Sequence, residues 1–397
     1  MAEKDPVLLA FDDDQDIVET ICAIGDRAGF RTVSSTSPSR LGELLDSVLP
    51  DVIILDLQMP GMDGVSALRH LADAKSAARI FLVTGMDERT IAAAEQYGVR
   101  RGLKILGTLQ KPFEPEALLA RLERVHAAIR PLTAADLEQA IANGELIVHY
   151  QPIIRRFADN TWDISAVEAL LRWNHPIRGL LTPDSFVSMG EAGGLSRAMT
   201  DFVLQRGIEQ LKGWEAIRLR VGLRINVAAT LISDIAFPDR LEAMLVEQSV
   251  DPELLALEIT ETAMLEQTPD AFDILTRLRI KNIGLAIDDF GIGYSSLTQL
   301  FRMPFNEMKI DRSLVGRMVE AKEASIMVDA LVSLAHKLNL TVCAEGVEDQ
   351  ATLERLGRFG CDFAQGYLVS PPVAAAEIPK IIARWDAQQR QPAAGIR

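Results

Sequence analysis

The 397-residue sequence predicts an α/β protein in two parts, a doubly wound parallel sheet followed by a modified TIM-type (β/α)8 barrel. Three observations carry this. Short apolar runs alternate with amphipathic stretches along most of the chain, as βα units require. The length exceeds one ordinary core and leaves ~250 residues for the larger part, the size of such a barrel. Acidic residues, finally, close or interrupt the apolar runs: Asp12–Asp14, Asp56, Glu168, Glu258, Asp288–Asp289 and Glu345. A carboxylate gains nothing by following a buried strand unless it has a metal, a phosphoryl group or a proton to manage.

Composition narrows the function classes. Hydrophobic residues make up 48%, enough for packed cores. No apolar run approaches the ~20 residues of a bilayer span, and the start MAEKDPVLLAFDDD lacks a secretory pattern, so a cytoplasmic protein without a membrane partner is expected. Cys22, Cys343 and Cys361 show no ligand spacing and read as small core residues in a reducing compartment. The net charge is −15, with 15 basic and 20 acidic residues up to Thr133 and 26 and 36 beyond it. Neither part has the basic excess that holds duplex nucleic acid, which is excluded as a partner.

In residues 1–130 the strand candidates are VLLAF (7–11), RTVSS (31–35), VIILD (52–56), IFLVT (80–84) and LGTLQ (106–110). Ligands of such a sheet sit beyond the carboxyl ends of its strands, where Asp12, Asp13, Asp14, Asp56, Thr84 and Lys111 fall. The set suits phosphoryl transfer. Asp56 can act as nucleophile if a divalent cation held by Asp13 and neighbouring carboxylates offsets the charge, with Lys111 pairing to the new phosphate and Thr84 following it. Asp14 and Asp16 are equally suited to cap the helix that follows.

FDDDQDI, ILDLQMPGMDG, LVTG and LQKPF, in that order, resemble the receiver domain of two-component response regulators. The resemblance implies a flavodoxin-like fold and phosphorylation of Asp56 by a sensor histidine kinase. It also implies one Mg2+ or Mn2+ at Asp13, Asp14 and Asp56, with Asp12, Asp13, Thr84 and Lys111 as the switch. Phe11 and Gln15 depart from the family pattern, which often has an aliphatic residue and Pro there.

Residues 131–137 read as a short helical linker, with Thr133 and Asp136 spaced as a capping box. The barrel is assigned to 138–388, and 389–397 to a disordered tail. Its strand candidates are IVHYQ (147–151), ISAVEALLRW (164–173), GLRINV (222–227), LLALEIT (254–260), IGLAIDD (283–289), EMKI (307–310), LTVCAEG (340–346) and FAQGYLV (363–369). No helix separates Gln151 from Ile164, so the first strand can run against the others. Chemistry belongs at the carboxyl ends of barrel strands. The polar residues there form a ring: Gln151, Glu168, Arg172, Asn226, Glu258, Asp288, Asp289, Lys309, Glu345 and Gln365. Oxygen ligands without His or Cys indicate Mg2+ or Mn2+. Two such cations sharing one carboxylate would relieve the repulsion of five acids and suit displacement at phosphorus.

EALLRW (168–173), RINV (224–227), EITET (258–262), DDFGIGYSSL (288–297), KIDR (309–312), AEGVE (344–348) and QGYL (365–368) resemble the EAL-domain phosphodiesterases of bacterial signalling, which hydrolyse cyclic di-GMP. The resemblance implies that Glu168, Asn226, Glu258 and Asp288 hold one metal, and that Asp288 bridges to a second held with Asp289 and Glu345. Lys309 would orient or help deprotonate the attacking water, making Lys309, Glu168, Asp289 and Glu345 the catalytic set. Arg172, Gln151 and Gln365 would contact the dinucleotide, and Glu261 would brace the loop Phe290–Leu297. Homodimers are common in the family. The expected output is linear pGpG, modulated through Asp56; the alternatives are a receptor that binds cyclic di-GMP without turnover and a protein-interaction module.

Overall fold

The computed structural model describes residues 5–261, 269–291 and 302–389. The loop after Gly291 and the tail from residue 390, for which expectations are given above, lie outside the described residues. The chain divides into two compact units, Met1–Leu132 and Thr133–Arg397. No helix among the described residues is long and apolar enough to cross a membrane.

In the first unit β1 (Val7–Phe11), β2 (Arg31–Ser35), β3 (Val52–Asp56), β4 (Arg79–Thr84) and β5 (Lys104–Gln110) form a parallel sheet in the order β2-β1-β3-β4-β5. Every residue of β1 and β3 is buried, as a sheet covered on both faces demands. The covering helices are α1 (Gln15–Arg27), α2 (Leu41–Val48), α3 (Gly64–Asp73), α4 (Glu88–Arg100) and α5 (Pro115–Ile129). The strand order reverses at β1/β3, so a crevice opens beyond the ends that carry Asp12 and Asp56. Gly64, which opens α3, is required by close approach: a Cβ there would lie 2.7 Å from Leu57 Cα.

The second unit opens with α6 (Ala134–Asn143), entered through the Thr133–Asp136 capping box that the sequence indicates. α6 belongs to this unit and packs on the short helix Val187–Ala192 and its end. A Cβ on Gly190 would lie 2.7 Å from Leu137 Cδ2, and one on Gly193 would lie 2.4 Å from Ala134 Cβ.

The barrel strands are β6 (Leu146–Arg156), β7 (Trp162–His175), β8 (Gly222–Asn226), β9 (Leu255–Thr260), β10 (Gly284–Phe290), β11 (Glu307–Ile310), β12 (Thr341–Ala344) and β13 (Phe363–Gln365). They pair in chain order, and β13 returns to β6 to close the barrel. β6 is antiparallel to both neighbours, β7 and β13, while β7 to β13 are mutually parallel. The outer helices are α7 (Ser196–Ala216), α8 (Phe237–Gln248), α9 (Pro269–Ile280), α10 (Lys322–Lys337), α11 (Gln350–Phe359) and α12 (Ile378–Gln389).

The strand expected over 363–369 ends at Gln365. Val347 N donates to Gln365 O at 3.0 Å and Leu368 N to Val347 O at 3.0 Å, so the chain turns here. Only glycine fits at 366, because a Cβ would lie 2.0 Å from Val347 O.

Candidate active site and phosphoacceptor pocket

In the first unit β1 and β3 deliver Asp12 and Asp56 as fully buried residues. Lys111 Nζ lies 2.7 Å from Asp12 Oδ2 and 3.0 Å from Asp56 Oδ2. Burial pushes the Asp12 carboxyl up, with Lys111 opposing it. Partial burial works against the Lys111 charge, yet Asp12 and Asp56 hold its pKa above the usual lysine value. Thr84, also buried, accepts from Met86 N through Oγ1 at 3.1 Å. Asp12, Asp13 and Asp56 each bring one carboxylate oxygen within 4.8 Å of the others.

Asp14 is a correction to the expected ligand set. Its Oδ1 accepts from Asp16 N at 2.9 Å and Ile17 N at 3.4 Å, which makes it the N-cap of α1, and Asp12 stands in the cluster instead. Capping satisfies amides that the helix leaves open. Asp14→Ala should therefore lower the stability of this unit by about 1 kcal/mol in urea denaturation, and an unchanged midpoint would refute the capping role.

In the second unit the ring assembles around Lys309, whose side chain is almost wholly buried. Lys309 Nζ donates to Glu258 Oε2 at 2.7 Å and lies 2.6 Å from Glu345 Oε1, 3.3 Å from Asp288 Oδ1 and 3.9 Å from Glu168 Oε2. Glu168 accepts from Asn226 Nδ2 and from Gln365 Nε2, each at 2.6 Å. Gln365 Nε2 also donates to Gln151 Oε1 at 3.0 Å, and Gln151 Nε2 to Ser370 O at 3.2 Å. The two glutamines expected to contact the ligand are thus tied to Glu168. Arg172 is buried, with Nη1 donating to Leu171 O at 2.8 Å.

Asp288 and Asp289 reach the mouth together because β10 is bulged. Ile287 pairs with Met308 and Phe290 with Ile310, so two residues oppose Lys309 alone. Asp289 takes up the bulge with φ 57°, a left-handed conformation that Asp tolerates better than most side chains. Asp289 N donates to Asp288 Oδ1 at 2.9 Å. Asp288, Asp289 and Glu345 each bring one oxygen within 4.8 Å of the others.

Four acids share one ammonium in a buried space, and the acidities of the three glutamates among them diverge. Burial and the neighbouring acids push Glu258 well above the carboxylate range, and burial pushes Glu345 up to about 7, with Lys309 opposing in both. Glu168 stays below its ordinary value despite burial, held there by Lys309 and the Gln365 and Asn226 amides. Glu258 Oε1 and Gln365 Oε1 are buried without a hydrogen-bond partner. An all-oxygen donor set with excess negative charge and such orphaned oxygens fits hard divalent cations.

A cleft of about 660 Å3 opens beside the ring, lined by Leu170, Val187, Glu191, Asn226, Thr260 and Asp289 among others. Glu261 is buried at the end of β9, but the segment that follows it lies outside the described residues. Asp311 caps the short helix Arg312–Val315 through Ser313 N at 2.7 Å. Sequence reasoning missed the buried pair Arg224–Glu307 beneath the ring. Strand parity contains the signal, since Arg224 lies two residues before Asn226 and Glu307 two before Lys309.

The order of these architectures defines the class: a receiver-type domain ahead of a barrel with one reversed strand and an acidic mouth. Sequence comparison gives the family. The profile of the response regulator receiver domain matches residues 8–123 and that of the EAL domain residues 134–372. The chain belongs to the EAL domain family and carries an N-terminal receiver domain. It is 33% identical over 337 residues to the cyclic di-GMP phosphodiesterase RocR of Pseudomonas aeruginosa, covering 81% of this chain and 84% of RocR. It is 36% identical to the bifunctional diguanylate cyclase/cyclic di-GMP phosphodiesterase MucR of the same organism, of which it spans only 35%. Among solved structures, the PaMucR phosphodiesterase in its c-di-GMP complex superposes with TM-score 0.58 at 35% identity, covering 62% of this chain and 98% of that one. The EAL enzyme Bd1971, with cAMP and cyclic di-GMP bound, gives TM-score 0.59 at 28% identity over 66% of this chain and 70% of its own.

Proposed function

We propose that this protein is a cytoplasmic response regulator whose barrel hydrolyses cyclic di-GMP to linear pGpG under control of phosphorylation at Asp56. One observation carries the reading: a bulge brings Asp288 to the buried ammonium that also meets Glu168, Glu258 and Glu345, and sets Asp289 beside Asp288 and Glu345 at the mouth. Glu168, Asn226, Glu258 and Asp288 would hold one Mg2+ or Mn2+, and Asp288, Asp289 and Glu345 a second. When bound, the two cations supply Lewis acidity and a nucleophile from water at neutral pH.

The chain's own residues do the rest. Lys309 steadies negative charge that builds on the phosphoryl oxygens, from a position where water is excluded. Gln365 and Asn226 fix Glu168 in one orientation. Arg172 suits a phosphate oxygen of the dinucleotide, and the cleft beside Asn226 receives its body. Gln151 and Gln365 face the same ligand from the Glu168 side, and Glu261 braces the loop after Asp289. Assembly as a homodimer belongs to the same reading.

In the first unit Asp56 is the phosphoacceptor, with a sensor histidine kinase as donor and one cation held by Asp12, Asp13 and Asp56. Lys111 and Thr84 then move to the new phosphate. Incubation with cyclic di-GMP and Mg2+ or Mn2+ should yield pGpG by chromatography; tight binding without product would make the protein a receptor. Acetyl phosphate should change the rate at least about twofold, and Asp56→Asn should remove that change. An identical response in the variant would exclude Asp56 as the switch.

A further inference from the structure

We propose that the buried Arg224–Glu307 ion pair is a positioning pair for the reaction read above, holding Glu258 and Lys309 in place from one layer beneath the mouth. The inference rests on the phosphodiesterase reading of the ring.

The pair crosses the inside of the barrel. β8 and β11 are separated in the sheet by β9 and β10, so Arg224 meets Glu307 through the interior. Small residues make the room: Arg224 is in register with Ala256, and Ala256 with Gly284, where a Cβ would lie 2.9 Å from that of Ala256. The Arg224 guanidinium stacks on Phe363 at 4.7 Å from the ring centroid. Ile153, Ala166 and Cys343 form an apolar cluster, and Thr341 pairs in register with Glu307.

Stability does not account for charges in that place. A buried ion pair loses so much hydration that well-packed apolar residues of similar volume commonly do as well or better. The order of the charges does account for it. Arg224 is in register with Glu168 and lies two residues before Asn226, the partner of Glu258, so the cation sits beside Glu168 and beneath Glu258. Glu307 lies two residues before Lys309 on the same strand face, so the anion sits under the ammonium. The pair is a dipole matched to the layer above it. Arg224 attracts Glu258 and Lys309 attracts Glu307, and these two attractions oppose sideways drift of either group.

Two double variants of the full chain test this by thermal melting, Mn2+ binding in electron paramagnetic resonance titrations, and cyclic di-GMP kinetics. Arg224→Met with Glu307→Leu removes both charges and keeps the volume. It should melt within a few degrees of the parent or above it, yet bind Mn2+ about tenfold more weakly, with kcat down about tenfold and KM within about threefold. Arg224→Glu with Glu307→Arg keeps an ion pair but reverses its dipole, and should lose at least as much. A neutral variant with parental Mn2+ affinity and kcat, or a reversed pair that restores both, would overturn the proposal. Should either double variant fail to fold, Arg224→Lys decides. It preserves the order of charges and should keep Mn2+ affinity within about threefold, and a tenfold loss there would also overturn it. A parent that forms no pGpG defeats the phosphodiesterase reading instead, and the Mn2+ titrations still decide whether the pair positions the ring.

Discussion

Replacing Lys309 with methionine should lower pGpG formation by about 10²–10³-fold, the loss expected when one preorganised donor is removed from a water-excluded site. A second effect separates this change from a simple loss of contact. Lys309 is the cation within 4 Å of Glu168, Glu258, Asp288 and Glu345 together. Without it the metal-free protein keeps buried carboxylates with no ammonium or guanidinium within 4 Å among the described residues, which costs about 3–5 kcal/mol. Melting in EDTA should therefore fall sharply, and Mn2+ should recover much of the difference. Parental turnover, or an EDTA melt unchanged from the parent, would refute the central role given to this ammonium.

Asp289→Asn is the second large expected effect. Asn tolerates the left-handed backbone at φ 57° as Asp does, so the bulge and the fold should survive with a melting temperature within a few degrees. The second cation loses a charged ligand, however, and turnover should fall about 10²–10³-fold. Mn2+ titration of the full chain, in which the parent binds two cations at the barrel mouth and one in the receiver pocket, should show one site fewer. An undiminished number of sites would remove Asp289 from the ligand set.

The fold was legible wherever chain-local pattern decides it. VLLAF and VIILD are apolar throughout because both faces of that sheet are covered, and both are fully buried strands. The reversal of β6 was legible too, as a missing helix between Gln151 and Ile164. What escaped depended on contacts between distant segments. FAQGYLV reads as one strand, yet the approach of Val347 to Gly366 ends it at Gln365. For Asp14 the sequence leaves cation ligand and helix cap equally open, and the Asp16 and Ile17 amides decide for the cap. Nor does local pattern show that Gln365, read with Gln151 as a ligand contact, donates to both Glu168 and Gln151 across more than 190 residues of chain.

The site divides in the same way. Acids at strand ends stand out because nothing in a solvated loop explains them. Arg224 and Glu307 sit inside runs that look like ordinary strands, and their pairing follows only once the barrel closes and parity turns both inward. A buried charge within a strand is therefore as informative as one at its end.

The reversed first strand also changes how the second unit is threaded. Leu146 pairs with Trp173, so β6 begins at the end where the parallel strands finish. The chain thus enters this barrel at its mouth. α6, just ahead, packs so closely on the Val187–Ala192 helix that neither Gly190 nor Gly193 has room for a methyl group, and Val187 and Glu191 line the cleft. Close-packed surfaces of this kind move together. Any displacement of α6 would therefore press directly on the cleft wall, a handle that a barrel entered from its floor does not possess.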